Sequence, residues 1–130
     1  LREKNIEYSL KGESAIVHGE ENMIQIVCQN LVMNAVKFCE SGDSIELHIE
    51  VADKIRVSIV DTGIGISAER VDTLLNESSF SSTKGTHNEK GSGLGLTICK
   101  DFLKKNNSEL MIESTEKLGS SFYFYLPKGI

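Results

Sequence analysis

Long apolar runs, an excess of basic charge and paired cysteines are all missing from these 130 residues. No hydrophobic stretch approaches the roughly 20 residues that a membrane-spanning helix needs, and no signal peptide opens the chain. Membrane contact by this stretch is therefore not expected. Lysine and arginine number 14 against 19 aspartates and glutamates, for a net charge of −5. A nucleic-acid-binding surface ordinarily carries a basic excess or stripe, and none runs along this sequence. The three cysteines, Cys28, Cys39 and Cys99, are odd in number and match no metal-binding spacing. Cys28 and Cys99 fall at apolar helical positions and read as buried, reduced thiols of a cytoplasmic protein. Internal repeats are absent as well.

The composition that remains is that of a soluble core-forming chain, with 39% hydrophobic and 25% charged residues. Its length is the common size of a single domain, taken as residues 1–130. Leu1 in place of an initiating methionine marks the sequence as a piece of a longer chain, and residues 1–3 read as the remnant of a linker.

The hydrophobic period divides the chain into elements. Lys4 to Leu10 alternates as a strand does. From Glu20 the apolar residues Ile24, Val27, Cys28, Leu31, Ala35 and Phe38 form one helical stripe, which should stop near Ser41-Gly42. Ile45, Leu47, Ile49 and Val51 alternate with polar residues. After a turn at Ala52-Asp53-Lys54, so do Ile55, Val57 and Ile59, the pattern of an antiparallel hairpin with one wet face. Ser67 is placed to cap a short helix containing Val71, Leu74 and Leu75.

Residues 76–92 are rich in Ser, Thr, Asn, Gly and Lys, and read as a long loop, which inside a compact domain is often a lid. A helix is expected from Gly93 to Asn106. Strands follow at Leu110–Ile112 and Phe122–Leu126, joined through Gly119 and ended by Pro127. The order predicts an α+β fold, a two-layer sandwich whose mixed, mostly antiparallel sheet of about five strands carries three helices on one face.

Three clusters carry chemistry. Asn30, Asn34 and Lys37 stand at i, i+4 and i+7 on the first long helix, one side of it and about one turn apart. Amide oxygens can ligate Mg²⁺ and a lysine can meet phosphate charge, although an ordinary polar helix edge gives the same pattern. Asp61-Thr62-Gly63-Ile64-Gly65 follows a strand end, where an acid and two spaced glycines allow a sharp turn, close ligand approach and a hydrogen bond from a base amino group. A capped loop with turn glycines would look similar. Gly91-Ser92-Gly93-Leu94-Gly95-Leu96 opens a helix, whose free N–H groups favour phosphate. Its spacing is neither that of a P-loop nor that of a dinucleotide fingerprint.

In this order, and closed by Gly119-Ser120-Ser121-Phe122 running into Leu126-Pro127, the three clusters resemble the N, G1 and G2 boxes of the sensor histidine kinase catalytic domain. That domain belongs to the ATP-binding superfamily shared with gyrase, Hsp90 and MutL. The resemblance spans roughly Lys4 to Pro127. It implies ATP and Mg²⁺ as cofactors, with Asn34 on the metal and Asn30 and Lys37 near the metal or the phosphates. Asp61 would read the adenine amino group, and Gly63 and Gly65 would leave the nucleotide room. Gly91, Gly93 and Gly95 would shape the hinge of an ATP lid over residues 76–92, with the backbone near Leu94 on phosphate. Ser120 would sit beside the adenine-binding Asp61. In the lid, Phe80 resembles the family's F-box aromatic, and Lys84 and Lys90 are candidates for the γ-phosphate.

Hydrolytic members of the superfamily place a glutamate general base where this chain has Asn30, an amide that cannot take a proton. Transfer to another acceptor is therefore favoured over hydrolysis. None of His18, His48 and His87 has the setting of a phosphoacceptor. The resemblance thus implies a kinase domain that hands its γ-phosphate to a histidine on a separate dimerisation domain, which in turn serves a response regulator. An ATPase or chaperone-like switch and a nucleotide-sensing interaction module are the alternatives.

Overall fold

The computed structural model describes residues 4–76, 83–84, 90–91 and 94–129. In chain order it contains β1 (Glu7–Gly12), α1 (Glu21–Phe38), β2 (Ser44–Val51), β3 (Ile55–Asp61), α2 (Ala68–Asn76), β4 (Thr83–Lys84), β5 (Lys90–Gly91), α3 (Leu94–Lys105), β6 (Met111–Thr115) and β7 (Gly119–Leu126). Five strands make one sheet in the order β1-β2-β3-β7-β6, and β4 and β5 pair separately. Only β1 and β2 run parallel within the five-stranded sheet. Parallel neighbours need a long crossover, which α1 provides. The mixed sheet with three helices is the expected fold class.

α1 begins where its capping chemistry allows. The Glu20 carboxylate accepts from the Met23 amide at 2.6 Å and supplies an acceptor to a donor that has none inside the helix. At the other end the Lys4 ammonium donates to the Val36 carbonyl at 2.9 Å, placing positive charge on the negative pole of the helix. The helix ends at Phe38, short of Ser41-Gly42, and the following turn is tied by a bond from the Glu40 amide to Asp43 Oδ2 at 2.8 Å. Ser67 caps α2 as expected, its Oγ accepting from the Arg70 amide at 3.1 Å.

The core lies between the helices and one face of the sheet. Val27, Leu31 and Ala35 of α1 meet Leu96, Cys99 and Leu103 of α3 above Ile55, Ile59, Phe122, Phe124 and Leu126. The buried thiols have no reactive setting: burial pushes Cys39 and Cys99 up to about 12, and Cys99 Sγ lies 3.6 Å from the Val27 carbonyl as a donor. On the opposite face Arg56 lies 3.9 Å over the ring of Tyr123, with Nη2 3.4 Å from Glu113 Oε1. α2 buries none of its residues fully and is fastened by half-buried Val71, Leu74 and Leu75 and by a bond from the Lys100 ammonium to the Leu74 carbonyl.

Strand register is what positions the site. On the core-facing side, Ile55, Val57, Ile59 and Asp61 of β3 pair with Leu126, Phe124, Phe122 and Ser120 of β7. Ile112 and Ser114 of β6 continue the rows opposite Phe122 and Ser120. Each row but the last is apolar. The last, Asp61–Ser120–Ser114, carries a carboxylate and two hydroxyls.

Several strands differ from their expected limits. β1 begins at Glu7 instead of Lys4, because Lys4 is occupied with the end of α1. β6 and β7 reach farther toward the site, to Thr115 and from Gly119. The stretch expected to be loop throughout, residues 76–92, includes the last residue of α2 and the paired strands β4 and β5. Phe80 and His87 lie outside the described residues.

Phe124 is fully buried in the centre of the sheet. Phe124→Ala should lower unfolding stability by about 3–5 kcal/mol in urea titrations. Leu10→Ala, on the exposed edge strand, should change it by less than about 0.5 kcal/mol.

Candidate functional site

The helix that carries Asn30, Asn34 and Lys37 is held by its apolar stripe of Val27, Leu31, Ala35 and Phe38, which turns the three polar residues to the border of the core, half-buried. Asn34 Nδ2 is buried without a hydrogen-bond partner among the described residues. An orphaned buried amide costs about 1–3 kcal/mol unless something outside the chain completes it. The Asn30 side chain hydrogen-bonds the thiol of Cys99 and lies next to Gly95 of α3, where an added Cβ would stand 3.8 Å from its amide carbon. Packing of α1 on α3 thus brings the first and third sequence clusters together. Lys37, in the last turn of α1, lies 5.5 Å over the Phe38 ring.

Asp61 ends β3 and is 3% exposed. Its Oδ1 accepts from the Gly63 amide at 2.9 Å, and the Ser120 backbone amide also bonds to the carboxyl. Burial outweighs these bonds. Desolvation, helped by Asp43 nearby, raises the pKa from an ordinary 3.8 to about 6.

The loop after Asp61 is clamped on both sides by main chain. A Cβ on Gly63 would stand 2.3 Å from the Phe38 carbonyl oxygen, and one on Gly65, whose φ is +74°, 2.2 Å from that of Thr115. Both positions therefore need glycine for packing inside the chain. The Ile64 amide donates to the Phe38 carbonyl at 3.1 Å, and Thr62 Oγ1 bridges the Ser44 amide (2.9 Å) and Asp43 (3.2 Å). Beside this loop Phe38, Ile64, Ile66, Arg70, Thr73 and Glu116 line a cleft of about 440 Å³.

Ser120, 5% exposed, stands beside Asp61 in the register. Its Oγ is 2.8 Å from that of Ser114, which accepts from the Ile66 amide at 2.7 Å. Ser114 was not a candidate from sequence. Its signal is visible only as a polar residue at a core-facing position, two after Ile112 in the alternation.

The structure thus joins Asn30 with Gly95, and Asp61 with Gly63 and Ser120. Of the remaining candidates, Lys90 and Gly91 form β5 and Leu94 opens α3, while Gly93 lies outside the described residues. Among the described residues no group of three His, Cys, Asp or Glu side chains is placed to hold a metal ion. No described helix is long and apolar enough to cross a membrane.

A two-layer sandwich with an asparagine-bearing helix over a buried strand-end aspartate defines a class of nucleotide-binding domain. The profile of the histidine kinase-, DNA gyrase B-, and HSP90-like ATPase family matches residues 19–130. The chain belongs to this family, and within it to the ATP-binding catalytic domains of sensor histidine kinases. It is 36% identical over 114 residues to the phosphate regulon sensor protein PhoR of Haemophilus influenzae, covering 87% of this chain and 27% of the relative. It is 34% identical over 113 residues to the adaptive-response sensory kinase SasA of Rippkaea orientalis, covering 85% and 28%. The chain therefore spans less than a third of these curated relatives. Among solved structures, the nucleotide-free catalytic domain of histidine kinase ThkA superposes with a TM-score of 0.76 at 29% identity, covering 95% of this chain and 81% of that one. The mycobacterial sensor histidine kinase MprB shares the fold, with a TM-score of 0.77 at 20% identity, covering 95% and 84%.

The raised pKa of Asp61 has two consequences. Its contribution to stability is present below about pH 3.8 and lost as pH rises through about 6, since the folded state then holds a desolvated charge. Asp61→Asn should therefore stabilise the domain by on the order of 1 kcal/mol at pH 7–8, with no gain at pH 4, in chemical unfolding. A ligand whose amino group uses the carboxylate as acceptor should lose affinity as pH drops through about 6, with no such step in the variant.

Proposed function

We propose that this domain binds Mg-ATP and presents the γ-phosphate to a histidine on a separate dimerisation domain of its parent protein, as one stage of a two-component system with a downstream response regulator. The observation that carries the reading is Asp61. A carboxylate held at the end of the core by two backbone N–H groups is costly to keep, and its free acceptor capacity suits the exocyclic amino group of adenine. Gly63 and Gly65 bring main chain close to the base, and Ser120 completes the polar row.

Asn34, with its orphaned amide nitrogen, fits a place where outside groups finish the hydrogen bonding. Its amide oxygen, with that of Asn30 nearby, is a neutral hard donor of the kind that suits a cation already carried by phosphates. When bound, Mg²⁺ would neutralise charge on the β- and γ-phosphates. Lys37 adds a point charge in the last turn of the same helix, and Lys90, Gly91 and the first amides of α3 at Leu94 and Gly95 are candidates to hold phosphate, as is Gly93, which lies outside the described residues.

Asn30 separates transfer from hydrolysis. Its amide cannot serve as general base for water, and it is already engaged by Cys99. Among the described residues neither His18 nor His48 stands on a helix: His18 precedes α1 and His48 belongs to β2. On this reading the acceptor lies on another domain and the parent's kinase machinery in the cytoplasm.

Calorimetric titration of ADP tests the pocket. The domain should bind ADP more tightly with Mg²⁺ than with EDTA, Asp61→Asn should weaken binding about tenfold or more while leaving it measurable, and Asn34→Ala should remove the Mg²⁺-dependent gain. Mixed with the parent's histidine-bearing domain, it should transfer labelled phosphate there while releasing little inorganic phosphate alone. Steady phosphate release without transfer would favour an ATPase switch.

A further inference from the structure

The last row of the sheet contains more chemistry than Asp61 alone, because its hydroxyls bond to one another. Ser114 has one hydroxyl proton and two lone pairs. One lone pair is taken by the Ile66 amide, 2.7 Å away. The Gly119 carbonyl, 3.0 Å away and unable to donate, is an acceptor for the hydroxyl proton. Either hydroxyl can donate across the 2.8 Å contact between Ser114 Oγ and Ser120 Oγ; with the Ser114 proton on the Gly119 carbonyl, Ser120 is the donor. With its proton committed to Ser114, Ser120 has only lone pairs left for the neighbouring site. Asp61 beside it is an acceptor too when ionised, its Oδ1 already receiving the Gly63 amide. Both ends of this polar row thus offer acceptors and no hydroxyl proton.

We infer that Ser114 is a positioning residue that sets base selectivity: by holding the Ser120 proton away from the site it keeps the base-reading row all-acceptor. Such a row welcomes the amino group at C6 of adenine and opposes the carbonyl oxygen at C6 of hypoxanthine, which needs a donor. The same side chain anchors the loop of Gly63 and Gly65 through Ile66, so selectivity and loop position share one hydroxyl. This inference rests on the reading of Asp61 as the adenine-recognising residue.

The test compares dissociation constants for ADP and inosine diphosphate, with Mg²⁺, in the intact domain and in Ser114→Ala, Ser114→Thr and Asp61→Asn. The ratio within each protein is insensitive to the folded fraction. Ser114→Ala frees the Ser120 proton to turn toward the site, so the preference for ADP should shrink about fivefold, the worth of one neutral hydrogen bond. Ser114→Thr, which keeps the hydroxyl, should retain the preference. A parallel weakening of both nucleotides in Ser114→Ala, with the ratio unmoved, would reduce Ser114 to a structural brace and overturn the inference. If Asp61→Asn shifts the ratio in that case, the adenine reading survives on its own. If Asp61→Asn leaves the ratio unchanged, the adenine reading falls and this inference with it.

Discussion

A carboxylate at the end of an apolar row is the constraint on which the rest of this domain is arranged. Asp61 follows Ile55, Val57 and Ile59 along the core-facing side of β3, so the pleat itself carries it under the helix layer. A charge in that position must be solvated by protein. The amides of Gly63 and Ser120 do this, and each bond dictates something further. The first requires the chain to double back tightly after the strand, against the end of α1 at Phe38. The second requires β7 to extend to the site, which brings Ser120 and then Ser114 into the same row.

These bonds do not repay desolvation in full, as the upward shift of the carboxyl to about 6 shows. The same holds for the orphaned amide of Asn34. Two polar groups, one on α1 and one on β3, are thus left short of partners among the described residues of a domain whose remaining core is largely apolar. Unmet hydrogen-bonding capacity is what a binding site offers its ligand, and the surplus stability that tolerates it comes from the α1–α3 packing and the Phe122–Phe124–Leu126 strand.

Where sequence and structure part company, the site is the reason or the edge is. The alternation that marks β6 and β7 breaks off at Ile112 and before Phe122, because the next core-facing positions, Ser114 and Ser120, are polar. Hydrophobic periodicity therefore ends the strands early at the point where they matter most, and Ser114 escapes notice. β1 is misplaced for another reason. It is an edge strand exposed along its whole length, so no burial pattern pins its limits. β4 and β5 are two residues each and polar, below what period or propensity can register.

By itself the sequence determined the helices, the antiparallel hairpin and the three clusters in their order, because these depend on local periodicity and on residue types whose chemistry is intrinsic. The asparagine side of α1, the acid after β3 and the glycines before α3 were all legible on that basis. Only the tertiary structure decided which of these groups meet and in what state. Pairing register is a long-range property: it set Ser114 beside Ser120 and Ser120 beside Asp61 across three strands distant in the chain. Burial is a property of the whole core; it is the largest cause of the raised carboxyl of Asp61 and leaves the amide of Asn34 without a partner among the described residues.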